Sequence, residues 1–372
     1  MTILGEISMA SANDLPKYLK LKNAIIERIN RGVYKPGDKL PTENELASEF
    51  DISRHTVRKA MDILLNEGLV SRKAGLGTFL NKSSKKETKL IGFISLNVHD
   101  YIFSDIFNGI ETVLHDRGYQ ILLSSSQSDQ EREKTILEEL LKKNVDGLII
   151  EPAHSAISYP NIGILERFVN SDIPVVILDS KFDNKNFHYV GLDDVNGGYL
   201  ATKALIDLGH KNIAMIYSKV HLPLIDRFKG YKKALEEEGL PIYLDHVKEC
   251  SHTELEDVTE FENQLKNAVT EIMGCASPPS AIFCVNDQFA VRVKSILEKM
   301  GYQVPADVSL IGYDDSNLVK LDNISISSVA HPKELAGEKA ARIILDCINN
   351  QSSAFKEDII FTPEVILRDS VK

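Results

Sequence analysis

No stretch of this 372-residue chain stays apolar for the roughly 18 residues that a helix needs to cross a bilayer. Met1 to Asp14 lack the basic segment and apolar core of a secretory signal, and read as a short mobile leader. Cysteine is scarce. Cys250, Cys275, Cys284 and Cys347 form no C-x-x-C pair and have no histidine at zinc spacing, so they read as free thiols in a reducing cytoplasm. There is no nucleophile elbow, P-loop or H-E-x-x-H motif, and no two of the ten histidines stand four apart. The adjacent acids Asp193-Asp194 and Asp314-Asp315 do not supply a catalytic pair, because neighbours in extended chain point to opposite sides. The expectation is a protein that is not an enzyme and holds neither metal nor cofactor.

What is present suits a soluble chain of two or three domains, with 43% apolar and 26% charged residues. The net charge of −11 hides an asymmetry. Residues 1–88 hold 15 Lys and Arg against 11 Asp and Glu, a net +4, whereas the remainder holds 28 against 43, a net −15. A basic head on an acidic body can meet a polyanion through the head alone.

The head spans residues 15–81. Tyr18, Leu21, Ile25 and Ile29 recur at helical spacing from Pro16 to a stop at Gly32, and residues 35–41 make a turn-rich connector. Thr42 with Glu45 is a capping box, and Ser53 after the turn at Asp51-Ile52 is an N-cap for a third helix. That helix has one apolar stripe, Val57, Ala60, Met61, Leu64 and Leu65, with Arg54, His55 and Arg58 off it in the first two turns. Helix-turn-helix proteins read base edges with this end of the second helix, and an arginine can contact a guanine through two bonds. A solvated helix face is the competing explanation for the two arginines. Leu69-Val70-Ser71 and Thr78-Phe79-Leu80 then read as short strands around Arg72-Lys73-Ala74-Gly75-Leu76-Gly77, a turn with two glycines and two cations. No helix opens after Gly77, so this is not a phosphate-cradling nucleotide loop. The whole order resembles the winged-helix domain of the GntR family of bacterial regulators. The resemblance implies that Arg54, His55, Thr56 and Arg58 lie in the major groove of double-stranded DNA, with Glu43 and Lys73 among the DNA-facing residues. It puts Gly75 at the wing tip in the minor groove and Lys17 and Tyr18 near the backbone. Ala74 departs from the larger polar residue usual there.

Residues 82–89 are polar, basic and without an apolar anchor, and read as a linker. From residue 90 to 372 apolar strands alternate with amphipathic helices, which means α/β with parallel sheets covered on both faces. Seven strands are predicted, at 90–94, 120–123, 147–150, 174–178, 213–216, 281–285 and 308–312. They divide into two subdomains, with a break near Asp193-Asp194 and returns of the chain near 315–330. Ligands of such sheets bind beyond the carboxyl ends of the strands. Those ends carry Asn97, Ser124, Glu151, Asp179, Asn286 and Asp314, a set suited to sugar hydroxyls, although polar residues cap strands in any α/β protein. Asp287 reads as a helix N-cap and is left out of the site.

Arg227-Phe228-Lys229-Gly230-Tyr231, Cys284-Val285-Asn286-Asp287 and Ile311-Gly312-Tyr313-Asp314-Asp315 resemble the effector domain of the LacI/GalR family, which shares the fold of periplasmic sugar-binding proteins. The resemblance implies that Arg227, Asn286 and Asp314 contact a small sugar in a cleft between subdomains. Tyr101, Glu151 and His331 join them by position. A GntR head on such a body, together with Asp100-Tyr101-Ile102-Phe103, the segment 146–152, Pro160-Asn161-Ile162-Gly163 and His331-Pro332-Lys333, resembles the L-arabinose-responsive repressors of Bacillus-type bacteria. That implies a homodimeric, cytoplasmic regulator on palindromic operators, released by L-arabinose. The same build answering to another sugar, or using it as corepressor, stays open. The LacI/GalR hinge helix has no counterpart in residues 82–89.

Overall fold

The computed structural model describes all residues except 1–15, 31–32, 36, 67, 74, 82–86, 99–100, 157–158, 183–185, 251–257, 321–324 and 350–357. The predicted leader, the helix stop at Gly32, wing residue Ala74 and most of the predicted linker lie outside the described residues. Two units emerge, residues 1–87 and 88–372. Thr88 and Lys89, predicted as linker, are fastened to the second unit: Asp146 accepts hydrogen bonds from both of their backbone N–H groups, at 2.9 and 2.8 Å.

In the first unit α1 (Lys17–Asn30), α2 (Glu43–Phe50) and α3 (Arg54–Asn66) enclose a core of Leu21, Ile25, Leu46, Val57, Ala60, Met61 and Leu64. Leu65, predicted in the stripe, is only partly buried. The capping box forms as expected. Thr42 accepts from Glu45 N at 3.3 Å, and Glu45 accepts from Thr42 N at 2.6 Å. Ser53 accepts from Thr56 N at 3.2 Å and so starts α3. Strands β1 (Val70–Lys73) and β2 (Gly77–Leu80) pair antiparallel, Val70 opposite Leu80. The connector is more than a turn: Leu40 N donates to Thr78 O and Leu80 N to Asp38 O, each at 2.9 Å, which fixes the approach to α2 against the wing.

The second unit has two lobes. The first contains β3 (Leu90–Ser95), α4 (Phe103–His115), β4 (Gln120–Ser125), α5 (Gln130–Lys143), β5 (Gly147–Ile150), α6 (Ile162–Asn170), β6 (Val175–Leu178) and β7 (His188–Leu192). The second contains α7 (Asp194–Asp207), β8 (Ile213–Tyr217), α8 (Leu222–Glu237), β9 (Val247–Glu249), α9 (Val258–Gly274), β10 (Ala281–Cys284), α10 (Asp287–Lys299), β11 (Ser309–Asp314) and β12 (Ser327–Ala330). Then α11 (Lys333–Asn349) and β13 (Asp358–Phe361) return to the first lobe, and β14 (Glu364–Ile366) closes the second. The sheet orders are β13-β7-β6-β5-β3-β4, all parallel, and β14-β12-β11-β10-β8-β9, parallel but for β14.

The chain thus changes lobe after Leu192, after Ala330 and after Phe361. The return expected near 315–330 comes at the end of that segment, because Ser327–Ala330 still pairs with β11. β7, β9, β12, β13 and β14 were not predicted. β12 is buried, but it reads Ser-Ser-Val-Ala and offers no apolar run, and β9, β13 and β14 are short edge pieces.

Each lobe is clamped by a close helix crossing. A β-carbon on Gly230 of α8 would lie 2.1 Å from Val195 O, and one on Gly198 of α7 would lie 2.1 Å from Arg227 O. Gly109 of α4 and Gly337 of α11 make the same arrangement in the first lobe. Gly230→Ala should therefore cost about 1–3 kcal/mol through overpacking. Urea unfolding measures this, and an unchanged midpoint would contradict the crossing.

Candidate functional site

Two regions of the chain present chemistry to solvent. In the first unit Arg54, His55, Arg58 and Lys59 are exposed along the outer side of α3, while Thr56 is half-buried with its hydroxyl 2.8 Å from Ser53 Oγ. Arg58 Nη2 lies 3.0 Å from Glu43 Oε2, and Arg72 Nη2 lies 3.3 Å from Glu43 Oε1 and 3.1 Å from Asp62. Glu43 therefore holds one arginine of α3 and one of the wing. The hydrogen bond from Arg58 lowers the Glu43 pKa despite partial burial, so the carboxylate stays charged. Arg54 makes no ion pair with any described residue. Lys59 Nζ stands 4.1 Å from the Tyr18 ring centroid, and Lys73 Nζ 4.9 Å from that of Phe79. Lys17 is exposed at the start of α1, and Gly75 takes φ 73° in the wing turn, which suits glycine. The arrangement offers a row of cations on one helix face with a basic turn beside it.

In the second unit a cavity of about 200 Å³ opens between the lobes at the carboxyl ends of β3, β5, β6, β8, β10 and β11. That is below the usual range for drug-sized ligands and suits a smaller molecule. All six residues expected there line it: Tyr101, Glu151, Arg227, Asn286, Asp314 and His331. Asn97 and Asp179 join them; Ser124 does not, because β4 is the sheet edge and its end lies away from the cleft.

Arg227 organises the cavity. Its Nε donates to Asp194 Oδ1 at 2.8 Å, Nη1 to Val285 O at 2.9 Å, and Nη2 lies 3.1 Å from Asp314 Oδ1. Its guanidinium carbon stacks 3.6 Å from the Tyr313 ring centroid. Burial works against this charge, but Asp314 and Asp194 outweigh it and raise the Arg227 pKa further. Burial pushes Asp194 up to about 6 even against that arginine. The two motifs singled out in the sequence thereby acquire physical roles. In Arg227-Phe228-Lys229-Gly230-Tyr231 the arginine holds the acids, the glycine lets α7 approach, and Tyr231 donates to Ile213 O at 2.8 Å. In Ile311-Gly312-Tyr313-Asp314-Asp315 the tyrosine supports the guanidinium and Asp314 binds it.

The lobes touch through this cluster, since Tyr101 OH of the first lobe donates to Asp314 Oδ2 of the second. Glu151 accepts from Leu96 N at 3.1 Å. Asn286, not Asp287, is the N-cap of α10: its Oδ1 accepts from Phe289 N at 2.9 Å, leaving the amide NH₂ for the cavity. Asp287 sits one residue inside, buried, accepting from Ser316 N at 2.7 Å and Ser328 Oγ at 2.6 Å. That corrects the predicted cap, and burial followed by the Asp314 charge pushes Asp287 up to about 7. His331 is buried with neither ring nitrogen hydrogen-bonded to a described residue, its Nε2 3.6 Å from Asp179 Oδ1, and burial lowers it to about 4.

Sequence reasoning missed Asp179 and Asp194. Asp179 was visible as a polar strand end but was not carried into the site. Burial, then the charges of Glu151 and Asp194, raises its pKa well above the usual value. Asp179 and Asp314 take φ of 57° and 99°, conformations that side-chain-bearing residues seldom adopt and that turn both carboxylates off their strand ends. Asp194 opens a helix in the first crossover, so no strand end marked it. The acid pairs do diverge as expected: Asp315 faces Arg368 at 2.5 Å and Lys320 at 3.0 Å, and Asp193 caps α7. One member of each pair, Asp194 and Asp314, nevertheless meets on Arg227. Among the described residues no cluster suits a metal ion and no helix is long and apolar enough to cross a membrane.

Residues 17–80 match the model of the bacterial regulatory proteins of the gntR family, and 202–371 that of a periplasmic binding protein-like domain. The chain is 36% identical over 366 residues to the arabinose metabolism transcriptional repressor of Geobacillus stearothermophilus, covering 96% of this chain and 98% of that protein. A LacI family transcriptional regulator from Enterococcus faecium, solved with bound ribose, superposes with a TM-score of 0.64 at 26% identity over 76% of this chain and 98% of that one. A periplasmic binding protein/LacI transcriptional regulator from Alkaliphilus metalliredigens, complexed with D-xylulofuranose, gives 0.64 at 25% identity, over 77% and 100%.

Replacing Arg227 by Met should leave Asp194 and Asp314 buried without their cation and cost about 3–5 kcal/mol of stability. The loss should be larger at pH 8 than at pH 5, because protonated carboxyls carry no uncompensated charge. Urea unfolding at both values measures it, and a loss independent of pH would contradict the arrangement.

Proposed function

The chain belongs to the family of bacterial transcriptional repressors that join a GntR-type head to a sugar-binding body of periplasmic-binding-protein type, and we propose that this member binds palindromic operators as a homodimer and is released by L-arabinose. The observation that supports a neutral sugar is the state of the cleft's cations. Arg227 is the one Lys or Arg lining the cavity among the described residues; three of its five N–H donors serve Asp194, Asp314 and Val285 O, and its charge is met by the two carboxylates. The nearby Lys333 is turned to the carbonyls of Asp314, Asp315 and His331 at 2.6, 3.3 and 3.3 Å. A sugar phosphate or sugar acid would find carboxylates and no free counter-charge, whereas hydroxyls can donate to Glu151, Asp179 and Asp314 and accept from Asn286 and His331.

The full-length likeness to an arabinose metabolism repressor favours L-arabinose. The neighbours that hold ribose and D-xylulofuranose favour, as a second reading, another five-carbon sugar. On the output side, Arg54, His55, Thr56 and Arg58 would meet the major groove. The Gly75 turn with Lys73 would meet the minor groove, Lys17 and Tyr18 the backbone, and Glu43 would set the pose of Arg58. Two heads in a two-fold dimer match two half-sites. Relief by a factor of ten requires only about 1.4 kcal/mol of coupling.

Gel shifts with the full-length protein test this. Operator binding should weaken with salt and be released by L-arabinose but not by arabinose 5-phosphate. Arg54→Ala should reduce the specific over non-specific ratio by about 1–3 kcal/mol. Release by no pentose would contradict the effector, and an unchanged ratio would contradict base reading by Arg54.

A further inference from the structure

Away from Arg227 the two lobes also meet through a pair of histidines. His154 lies in the turn after β5 of the first lobe, and His221 immediately precedes α8 of the second. Their rings stand edge to face with centroids 6.1 Å apart. Nε2 of His154 and Nδ1 of His221 are both shut off from solvent and have no hydrogen-bond partner among the described residues. Beside them Leu222 N donates to Ser155 Oγ at 3.2 Å, and Ser155 Oγ lies 2.8 Å from Ser180 Oγ. The lip that carries His154 is firmly built: Gln130 Nε2 donates to Ala153 O at 3.2 Å, and Glu133 accepts from Ala153 N at 2.7 Å. His154 itself is held at φ 48°, which a residue with a β-carbon adopts at a cost. His221 lines the cavity and starts the helix that carries Arg227.

We propose that His154 and His221 form a proton-sensitive latch on the cleft: with His221 uncharged the lobes close with the two rings together, and protonation of His221 forces this edge open and weakens the hold on the sugar. The inference rests on the reading of the cleft as the sugar site. Among the described residues neither ring has an acid within ion-pair distance, and Asp179, next to Ser180, faces His331 at 3.6 Å. Of the charged groups on the elements packed around them, Glu133 is bonded to Ala153 N and Asn161, and Glu151 to Leu96 N. Asp226 pairs with Lys229, Arg227 with Asp194 and Asp314, Lys219 with Glu249, and Lys181 with Asp358. Protonation would therefore bury a cation against a second imidazole.

Burial, then the charge of His154, holds His221 down to about 4 in this closed arrangement. Opened to water, the ring returns toward an ordinary value of about 6.5. The open form thus binds the proton more tightly, and the sugar, which needs the closed form, binds less tightly as pH falls below about 6.5. For His221 alone these values give affinity about ten-fold weaker at pH 5.5 than at pH 7.5. His331 titrates in the same sense and Asp179, Asp194 and Asp287 in the opposite one, but they are common to wild type and variant and cancel in the comparison.

The test is calorimetry of L-arabinose binding to the full-length protein from pH 5.5 to 7.5, wild type against His154→Gln/His221→Gln. The single variant His221→Gln serves if the double variant does not fold. Wild type should lose about ten-fold more affinity than the variant across this range; parallel profiles would overturn the latch. If wild type binds no L-arabinose at any pH, the sugar reading fails. Small-angle scattering of the sugar-free protein then decides on the latch. Expansion on acidification in wild type but not in the variant supports it, and equal behaviour overturns it.

Discussion

A buried guanidinium is the constraint from which the body of this protein is built. Arg227 needs two carboxylates, a carbonyl and an aromatic face, and these come from three separate pieces of chain: Asp194 at the first crossover, Val285 after β10, and Tyr313 and Asp314 at the end of β11. An unpaired charge at this depth would be costly, so the pairing fixes the mutual position of α7, α8 and β11. The glycine crossing of α7 and α8 is part of the same requirement, since Gly198 is packed against the backbone of Arg227 itself. From this fixed cluster Asp314 reaches across to Tyr101 of the other lobe. The same carboxylate that anchors the arginine thus also joins the two lobes, and a ligand hydroxyl competing for it would act on both contacts.

The head follows the same logic with exposed groups. Glu43 links Arg58 on α3 to Arg72 on the wing, and both pairs are exposed, so each contributes little to stability. Their effect is to pre-position side chains, which lowers the ordering cost when phosphates and bases arrive. The charge split between the two parts of the chain assigns DNA contact to the head and leaves the acidic body to the sugar.

Much of this was legible in the sequence. The third helix, its apolar stripe, the Thr42–Glu45 box and the glycine-containing wing carry local signals that decide their own structure. The six residues expected at the cleft do line it: Arg227, Asn286 and Asp314 were placed by the family resemblance, and Tyr101, Glu151 and His331 by their position in loops facing the cleft. Legibility failed where partners come from afar. Asp194 has meaning only beside Arg227, 33 positions on, and no single-chain pattern shows that. β12 is a strand because β11 lies beside it, not because Ser327-Ser328-Val329-Ala330 favours one. The helix cap was assigned to Asp287 instead of Asn286 because either side chain can cap a helix, and only burial shows which one turned inward.

The central claim is that occupancy of the cleft and binding of operator exclude one another energetically. Such coupling is reciprocal: the factor by which sugar weakens operator binding must equal the factor by which operator weakens sugar binding. Calorimetric titration of L-arabinose into the full-length protein, free and saturated with operator duplex, measures it directly. The account predicts a higher Kd for the sugar in the presence of operator, by the same factor that gel shifts give for its release. An identical Kd with and without DNA would contradict it.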